Sequence, residues 1–170
     1  MNLRFQTIDL EAHGEQAARY REDSYVVSFG SAEGFERMGA QAYLEWLRHR
    51  IEAYPDGHVH VWLGDAIVGQ IEARPHKTDP TIGYVNLYYV APSHRRRGIG
   101  GALDDHVTHY FSNRGRTRIQ LSVSPTNEVA WAFYLSRGYV DCGQRDDSPE
   151  VHRMERRLAS SMRSEALVGI

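Results

Sequence analysis

Between positions 90 and 101 the chain reads Val90-Ala91-Pro92-Ser93-His94-Arg95-Arg96-Arg97-Gly98-Ile99-Gly100-Gly101. An apolar strand end, a basic loop, a glycine cluster and a helix start follow one another. That order suits a phosphate. Free backbone N–H groups at a helix N-terminus point outward, the helix dipole favours negative charge there, and glycine lets a ligand approach the backbone closely. The arginines add positive charge at the same place. The segment matches neither the G-x-G-x-x-G dinucleotide fingerprint nor the G-x-x-x-x-G-K-[ST] loop. Taken alone, the same residues also read as a solvated basic loop and a tight strand-to-helix turn.

Other arrangements with chemical potential are weaker. His58 and His60 share one face of a strand-like run and His106 and His109 one face of a helical run, but neither pair has an evident third and fourth ligand. They read as surface histidines, and no metal is expected. Cys142 is the only cysteine, which excludes an internal disulfide and a thiolate zinc cluster. It has no clear activating base, and no G-x-S-x-G elbow is present, so covalent nucleophilic catalysis is not expected.

The elements that must position the basic loop follow from periodicity. Gly83 to Val90, rich in Tyr and Val, reads as a central strand running into the loop. Ile99 to Phe111 has apolar residues at 99, 103, 107 and 110/111, a helix with one face on a sheet and with Asp104, Asp105, Thr108 and His109 toward water. Arg118 to Val123 alternates as a strand. Asn127 to Arg137 is a short helix that Gly138 can end, and Asn127 suits its N-cap.

Upstream, Asn2 to Leu10 reads as a first strand and Glu11 to Arg21 as a helix. A second helix follows the Gly30–Gly34 loop and runs to about Ala53, stopped by Pro55-Asp56-Gly57. His58 to Leu63 and Ala66 to Ala73 form a hairpin at Gly64-Asp65, and a proline-bearing loop covers Arg74 to Pro80. Two strands, Tyr139 to Gly143 and Val151 to Leu158, flank the turn Asp146 to Pro149. Residues 1–158 make one domain, and 159–170 read as a mobile tail.

With 41% apolar and 25% charged residues the chain has the composition of a folded globular protein. Met1 to Leu10 lacks a basic start and a continuous apolar stretch, so a cytoplasmic location is expected. A net charge of -2 gives no reason to expect nucleic acid or membrane as a partner. The charge is uneven, however. Arg74 to Arg118 carries eight Lys or Arg against three Asp, and Met1 to Pro55 six against nine acidic residues. An anionic ligand would prefer the middle of the chain.

Arg95-x-x-Gly98-x-Gly100, preceded by Val90-x-Pro92, resembles the coenzyme A signature of the GNAT superfamily of N-acetyltransferases. A second match lies downstream, where Asn127, Ala130, Phe133, Tyr134, Gly138 and Tyr139 resemble that family's segment after its fifth strand. The order of strands and helices is similar across roughly residues 3 to 158. The resemblance implies an α/β fold: a mixed, mostly antiparallel sheet of about seven strands flanked by helices and splayed between strands four and five. It implies transfer of an acetyl group from acetyl-CoA to a primary amine, by direct attack in a ternary complex. The acceptor is a small molecule or a protein amine, and a homodimer is one of the oligomeric states left open.

By the same resemblance, Arg95, Arg96, Arg97, Gly98, Ile99, Gly100 and Gly101 hold the pyrophosphate, and the strand edge Tyr88, Tyr89, Val90 pairs with the pantetheine arm. A backbone N–H there would stabilise the oxyanion. Asn127 adds a coenzyme A contact to its capping role, and Tyr134 hydrogen-bonds the sulfur and protonates the departing thiolate. With reference pKa values near 10 and 8.5, full transfer is uphill by ~1.5 units, or roughly 2 kcal/mol.

Many relatives carry a Glu base on the fourth strand, which here reads Tyr84-Val85-Asn86-Leu87-Tyr88 and has no carboxylate. Glu72 on the preceding strand is the nearest candidate, acting through water, with an ordinary paired Glu as the alternative. The resemblance also implies that acceptors enter beside Glu22, Asp23 and Tyr25, and the two carboxylates would attract a cationic amine or simply face water. The missing base also fits a domain that senses acetyl-CoA without catalysis. The arginine loop leaves RNA or DNA binding as a third option, against which the near-neutral charge argues.

Overall fold

The computed structural model describes residues 1–159. The expected C-terminal tail, from residue 160 on, lies outside them. Seven strands form one sheet in the order β1-β2-β3-β4-β5-β7-β6. They are β1 (Leu3–Thr7), β2 (His58–Leu63), β3 (Ala66–Pro75), β4 (Ile82–Val90), β5 (Arg118–Val123), β6 (Val140–Arg145) and β7 (Ser148–Arg157). All neighbours are antiparallel except β4 and β5, which are parallel. The helices are α1 (Leu10–Phe29), α2 (Glu33–Met38), α3 (Ala40–Ala53), α4 (Ile99–Ser112) and α5 (Glu128–Ser136). The α/β fold with a mixed, mostly antiparallel sheet is the one expected.

Leu103, Val107 and Phe111 of α4 bury their stripe on Val59, Val61, Ile71, Val85 and Ile119 of the sheet, and Trp131 and Tyr134 of α5 join the same cluster. On the other side Ala17 of α1, Phe35 of α2, and Tyr43 and Leu47 of α3 form a second cluster. The helices there differ from expectation. α1 is capped by the Asp9 carboxylate, which accepts from the Glu11 and Ala12 amides, kinks at His13 beside Gly14, and continues to Phe29 because no Gly or Pro falls between Arg21 and Gly30. The single helix expected up to Ala53 is split at Gly39, whose φ of +83° only glycine adopts readily.

β7 starts earlier than expected, at Ser148, and the turn shrinks to Asp146-Asp147. Pro149 is tolerated because it falls at the strand's beginning.

Two expectations fail for a shared reason. His58 and His60 are 0% and 1% exposed rather than at the surface, and Asp104 is 0% exposed rather than turned to water. Periodicity marks apolar faces, but a polar side chain is buried wherever partners from distant segments satisfy it. His58 Nδ1 donates to the Tyr54 carbonyl at 2.9 Å, and His60 Nε2 donates to Gln70 Oε1 at 3.0 Å. Asp104 is the centre of an ion-pair cluster described below.

Candidate active site

Parallel pairing of β4 with β5 runs only from Ile82↔Arg118 to Val85↔Leu121. On its other edge β5 pairs with β7 along its whole length, from Arg118↔Arg157 to Val123↔His152, so beyond Leu121 only its β4 side is left unpaired. β4 stays with β3, but its register jumps from Leu87 opposite Glu72 to Val85 opposite Ala73, so Asn86 is an extra residue that bends the strand. The two strands therefore part after Val85. The gap widens into an open cleft of about 1530 Å³ between β4, β5, the start of α4 and the inner face of α5.

One wall is the β4 edge. The Tyr89 carbonyl points at Gly69 on β3, where an added Cβ would meet it at 2.6 Å. Backbone polar groups alternate along a strand, so those of Tyr88 and Val90 point into the gap. Arg95 Nε takes the Val90 carbonyl at 2.8 Å. Tyr89 contributes differently from its neighbours. Its ring is 5% exposed and its hydroxyl donates to Asp23 at 2.6 Å, and burial, then Asp23, hold that phenol above the usual tyrosine range.

The floor is the basic loop. Arg96 has φ +62° and Gly98 φ +81°, a turn that aims the chain into α4. The first bond from the helix interior is Ala102 N to Gly98 O, so the amides of Ile99, Gly100 and Gly101 have no intrahelical acceptor. No side chain caps them. Arg95, Arg96, Gly98, Ile99, Gly100 and Gly101 line the cleft, whereas Arg97 is exposed and does not.

α5 forms the facing wall. Asn127 accepts the Ala130 amide at 3.2 Å, so it caps the helix while lining the cleft. Tyr134 lines the cleft with its ring 6.3 Å from Tyr88 and edge-on to Tyr139 at 5.5 Å. Burial, then the charge of Asp104, raise the Tyr134 pKa, so the phenol stays protonated through the neutral range.

At the far end of the cleft stand the C-terminal turns of α1, with Arg21, Ser24, Tyr25 and Phe29, and a polar group of Tyr84, Ser122 and Arg145. Arg145 Nη1 reaches Ser122 at 3.0 Å and Tyr84 at 3.3 Å. Thr126 donates to the Ser28 carbonyl at 3.0 Å and ties α1 to the loop after β5. Of the residues expected on the acceptor side, Tyr25 lines the cleft and Glu22 and Asp23 do not. Asp23 is held by Tyr89 and by Arg95 at 3.1 Å, which offsets its charge.

Glu72 is 0% exposed and faces the helices rather than the cleft. Its Oε1 accepts from Tyr43 at 2.6 Å and from Gln70 at 3.0 Å. Its Oε2 lies 3.6 Å from Arg21, and Arg21 stands between it and the cleft. Arg21, Arg145 and the buried role of Asp104 are not legible in the sequence because none lies in a local motif. Among the described residues no group of three or more His, Cys, Asp or Glu side chains stands together to hold a metal ion, and no helix is long and apolar enough to cross a membrane.

Comparison with known proteins agrees with this architecture. Residues 17–139 match the family model of the Acetyltransferase (GNAT) family. N-acetyltransferase 8F1 of Rattus norvegicus is 32% identical over 101 residues, which are 55% of this chain and 45% of that protein. Aminoglycoside N(6')-acetyltransferase type 1 of Klebsiella aerogenes is 29% identical over 97 residues, 55% of this chain and 60% of that one. The chain thus spans about half the length of the relatives it matches. Among solved structures, the PaiA N-acetyltransferase of Thermoplasma acidophilum in complex with coenzyme A superposes with a TM-score of 0.75 over 92% of this chain and 99% of that one, at 17% identity. The extent of the family match, together with the parted strands and the glycine-rich helix start, establishes that this chain belongs to the acetyltransferase (GNAT) family.

Proposed function

We propose that this chain transfers an acetyl group from acetyl-CoA to a primary amine by direct attack in a ternary complex. The observation that carries the reading is the parting of β4 and β5. It leaves the backbone groups of Tyr88 and the Val90 amide open on one side of a cleft, the Val90 carbonyl being taken by Arg95, and puts the Tyr134 phenol on the other, with the bare amides of α4 at the floor.

Acetyl-CoA supplies the activated acyl group. In this reading the amides of Ile99, Gly100 and Gly101, with Arg96 beside them, hold the pyrophosphate. Arg95 fixes the loop to the end of β4 through the Val90 carbonyl. The Tyr88 and Val90 edge pairs with the pantetheine arm, and a backbone N–H from it stabilises the carbonyl oxygen as charge builds there. The amine nitrogen bonds to the carbonyl carbon, the C–S bond breaks, and the sulfur leaves as a thiol with the Tyr134 proton. The raised pKa of Tyr134 keeps that proton in place until the sulfur gains charge, and Tyr134 recovers a proton from solvent.

Glu72 serves here as the anchor for Arg21. The acceptor amine gives up its proton to water in the open cleft, and its body lies along the end of α1 beside Tyr25, with Arg145 opposite.

The test is thiol release from acetyl-CoA across a panel of amines: peptide N-termini, lysine side chains, polyamines, aminoglycosides and small metabolites. Release with one class is expected, with Tyr134→Phe slowing it by about 10²-fold. Binding of acetyl-CoA with no release from any class would overturn the enzymatic reading in favour of a sensor.

A further inference from the structure

Asp104 of α4 takes no part in the reaction just described, yet its carboxylate has no exposed surface. Its Oδ1 accepts from Tyr139 at 2.9 Å, from Arg156 at 3.1 Å and from Tyr88 at 3.3 Å, and its Oδ2 accepts from Arg137 Nε at 2.7 Å. The donors come from β4, from the residues just after α5 and from β7. Two guanidinium groups suffice to offset the charge of a buried carboxylate. The two phenols do something else.

Three of these four donors surround Tyr134. The Tyr139 ring stands edge-on to it at 5.5 Å, the Tyr88 ring lies 6.3 Å away, and the Arg137 amide donates to the Tyr134 carbonyl at 3.0 Å where α5 ends. Tyr134 itself makes no side-chain hydrogen bond to another described residue, so its place is set by packing against groups that Asp104 holds. Arg137 also bonds to Asp105, which ties the end of α5 to α4 a second time.

We infer that Asp104 is a positioning residue for Tyr134, fixing through Tyr88, Tyr139 and Arg137 where the phenol stands in the cleft. This rests on the role proposed for Tyr134. The titratable and charged groups around that phenol are Asp104 from α4, Tyr88 from β4, Arg137 and Tyr139 from the segment after α5, and Arg156 from β7. Burial and then the Asp104 charge raise the Tyr134 pKa. Replacing the carboxylate by an amide removes the negative charge and leaves Arg137 and Arg156 uncompensated. Both changes favour the phenolate, so Tyr134 ionises at lower pH.

The experiment is a double-mutant cycle of Asp104→Asn with Tyr134→Phe, measured by thiol release over a range of pH. Asp104→Asn is expected to lower kcat about tenfold, to leave the KM for acetyl-CoA within about threefold and to move the alkaline limb of the kcat profile to lower pH. In the Tyr134→Phe background the same substitution is expected to change kcat by less than about twofold, a coupling of the size that residues acting through one another show. An equal loss in both backgrounds would reduce Asp104 to a structural ion-pair centre. Should Tyr134→Phe alone leave kcat unchanged, the role of Tyr134 is what fails, and the inference falls with it. If Asp104→Asn does not fold, Arg137→Gln removes the Oδ2 partner at a partly exposed side chain; the coupling in kcat is read with the same two outcomes, while the alkaline limb is now expected to move to higher pH because a cation is lost and the carboxylate stays.

Discussion

Arg21 Nη1 donates to the Asn86 carbonyl at 3.1 Å, at the residue where β4 bulges away from β3. The same guanidinium lies 3.6 Å from Glu72 Oε2, with the two side chains 18% and 0% exposed. One arginine of α1 thus holds the bend that opens the cleft and offsets the carboxylate beneath it. The sign of its contribution follows from what is left when it is removed.

Arg21→Met leaves Glu72 charged, buried and supported only by Tyr43 and Gln70. Losing one partner of a buried pair costs about 3 kcal/mol or more. Adding Glu72→Gln removes the stranded charge, so the double variant is expected to be more stable than Arg21→Met alone. Urea unfolding midpoints at neutral pH check this order. Because Glu72 does not face the cleft, Glu72→Gln is also expected to leave the shape of the pH dependence of kcat/KM unchanged. Loss of its acidic limb would instead identify Glu72 as the base.

The buried histidine beside this network makes stability depend on pH. Burial lowers the pKa of His60 to about 4 from an ordinary 6.5, with the Gln70 hydrogen bond opposing the shift. The folded state therefore binds fewer protons than the unfolded chain between those two values. Its stability is fully present above 6.5 and falls as pH drops toward 4. His58 is lowered for the same first reason, burial, and acts in the same direction. From His60 alone the protein should be roughly 2 kcal/mol less stable at pH 5 than at pH 7.5. Urea titrations at the two pH values measure the difference, and His60→Gln, which keeps an amide donor for Gln70, should shrink it.

These residues also show what a single sequence makes legible. The loop Arg95 to Gly101 could be read because its parts are contiguous: strand end, cations, glycines and helix start. Tyr134 and Asn127 could be read because the second motif is local too. Asp104 could not, since its partners Arg137, Tyr139 and Arg156 lie 33, 35 and 52 residues away, and the helix period places it beside the apolar stripe rather than in it. Glu72 was ambiguous for a different reason. β3 is a central strand buried on both faces over Val68 to Arg74, so alternation does not say which side of the sheet a polar residue occupies. The acidic pair Glu22 and Asp23 reads as a lure for a cation because the cation that offsets Asp23, Arg95, belongs to the basic loop 72 residues on.

The arginine run offers the sharpest contrast between adjacent side chains. Arg95 is committed to Val90 and Asp23, Arg96 lines the cleft, and Arg97 is exposed and does not line it. Charge near a bound phosphate acts over a few ångströms and is screened beyond about 10 Å at ordinary salt. Arg96→Ala should therefore raise the KM for acetyl-CoA about tenfold with little change in kcat, and higher salt should narrow its gap from the parent protein. Arg97→Ala should change KM by less than about twofold. Arg95→Ala frees Asp23 as well as loosening the loop, so it should affect both KM and the melting temperature. Steady-state kinetics with acetyl-CoA varied at two ionic strengths separates the three. Equal effects of Arg96 and Arg97 would mean that the loop acts only as a diffuse patch of positive charge, and that the backbone amides of α4 carry the recognition alone.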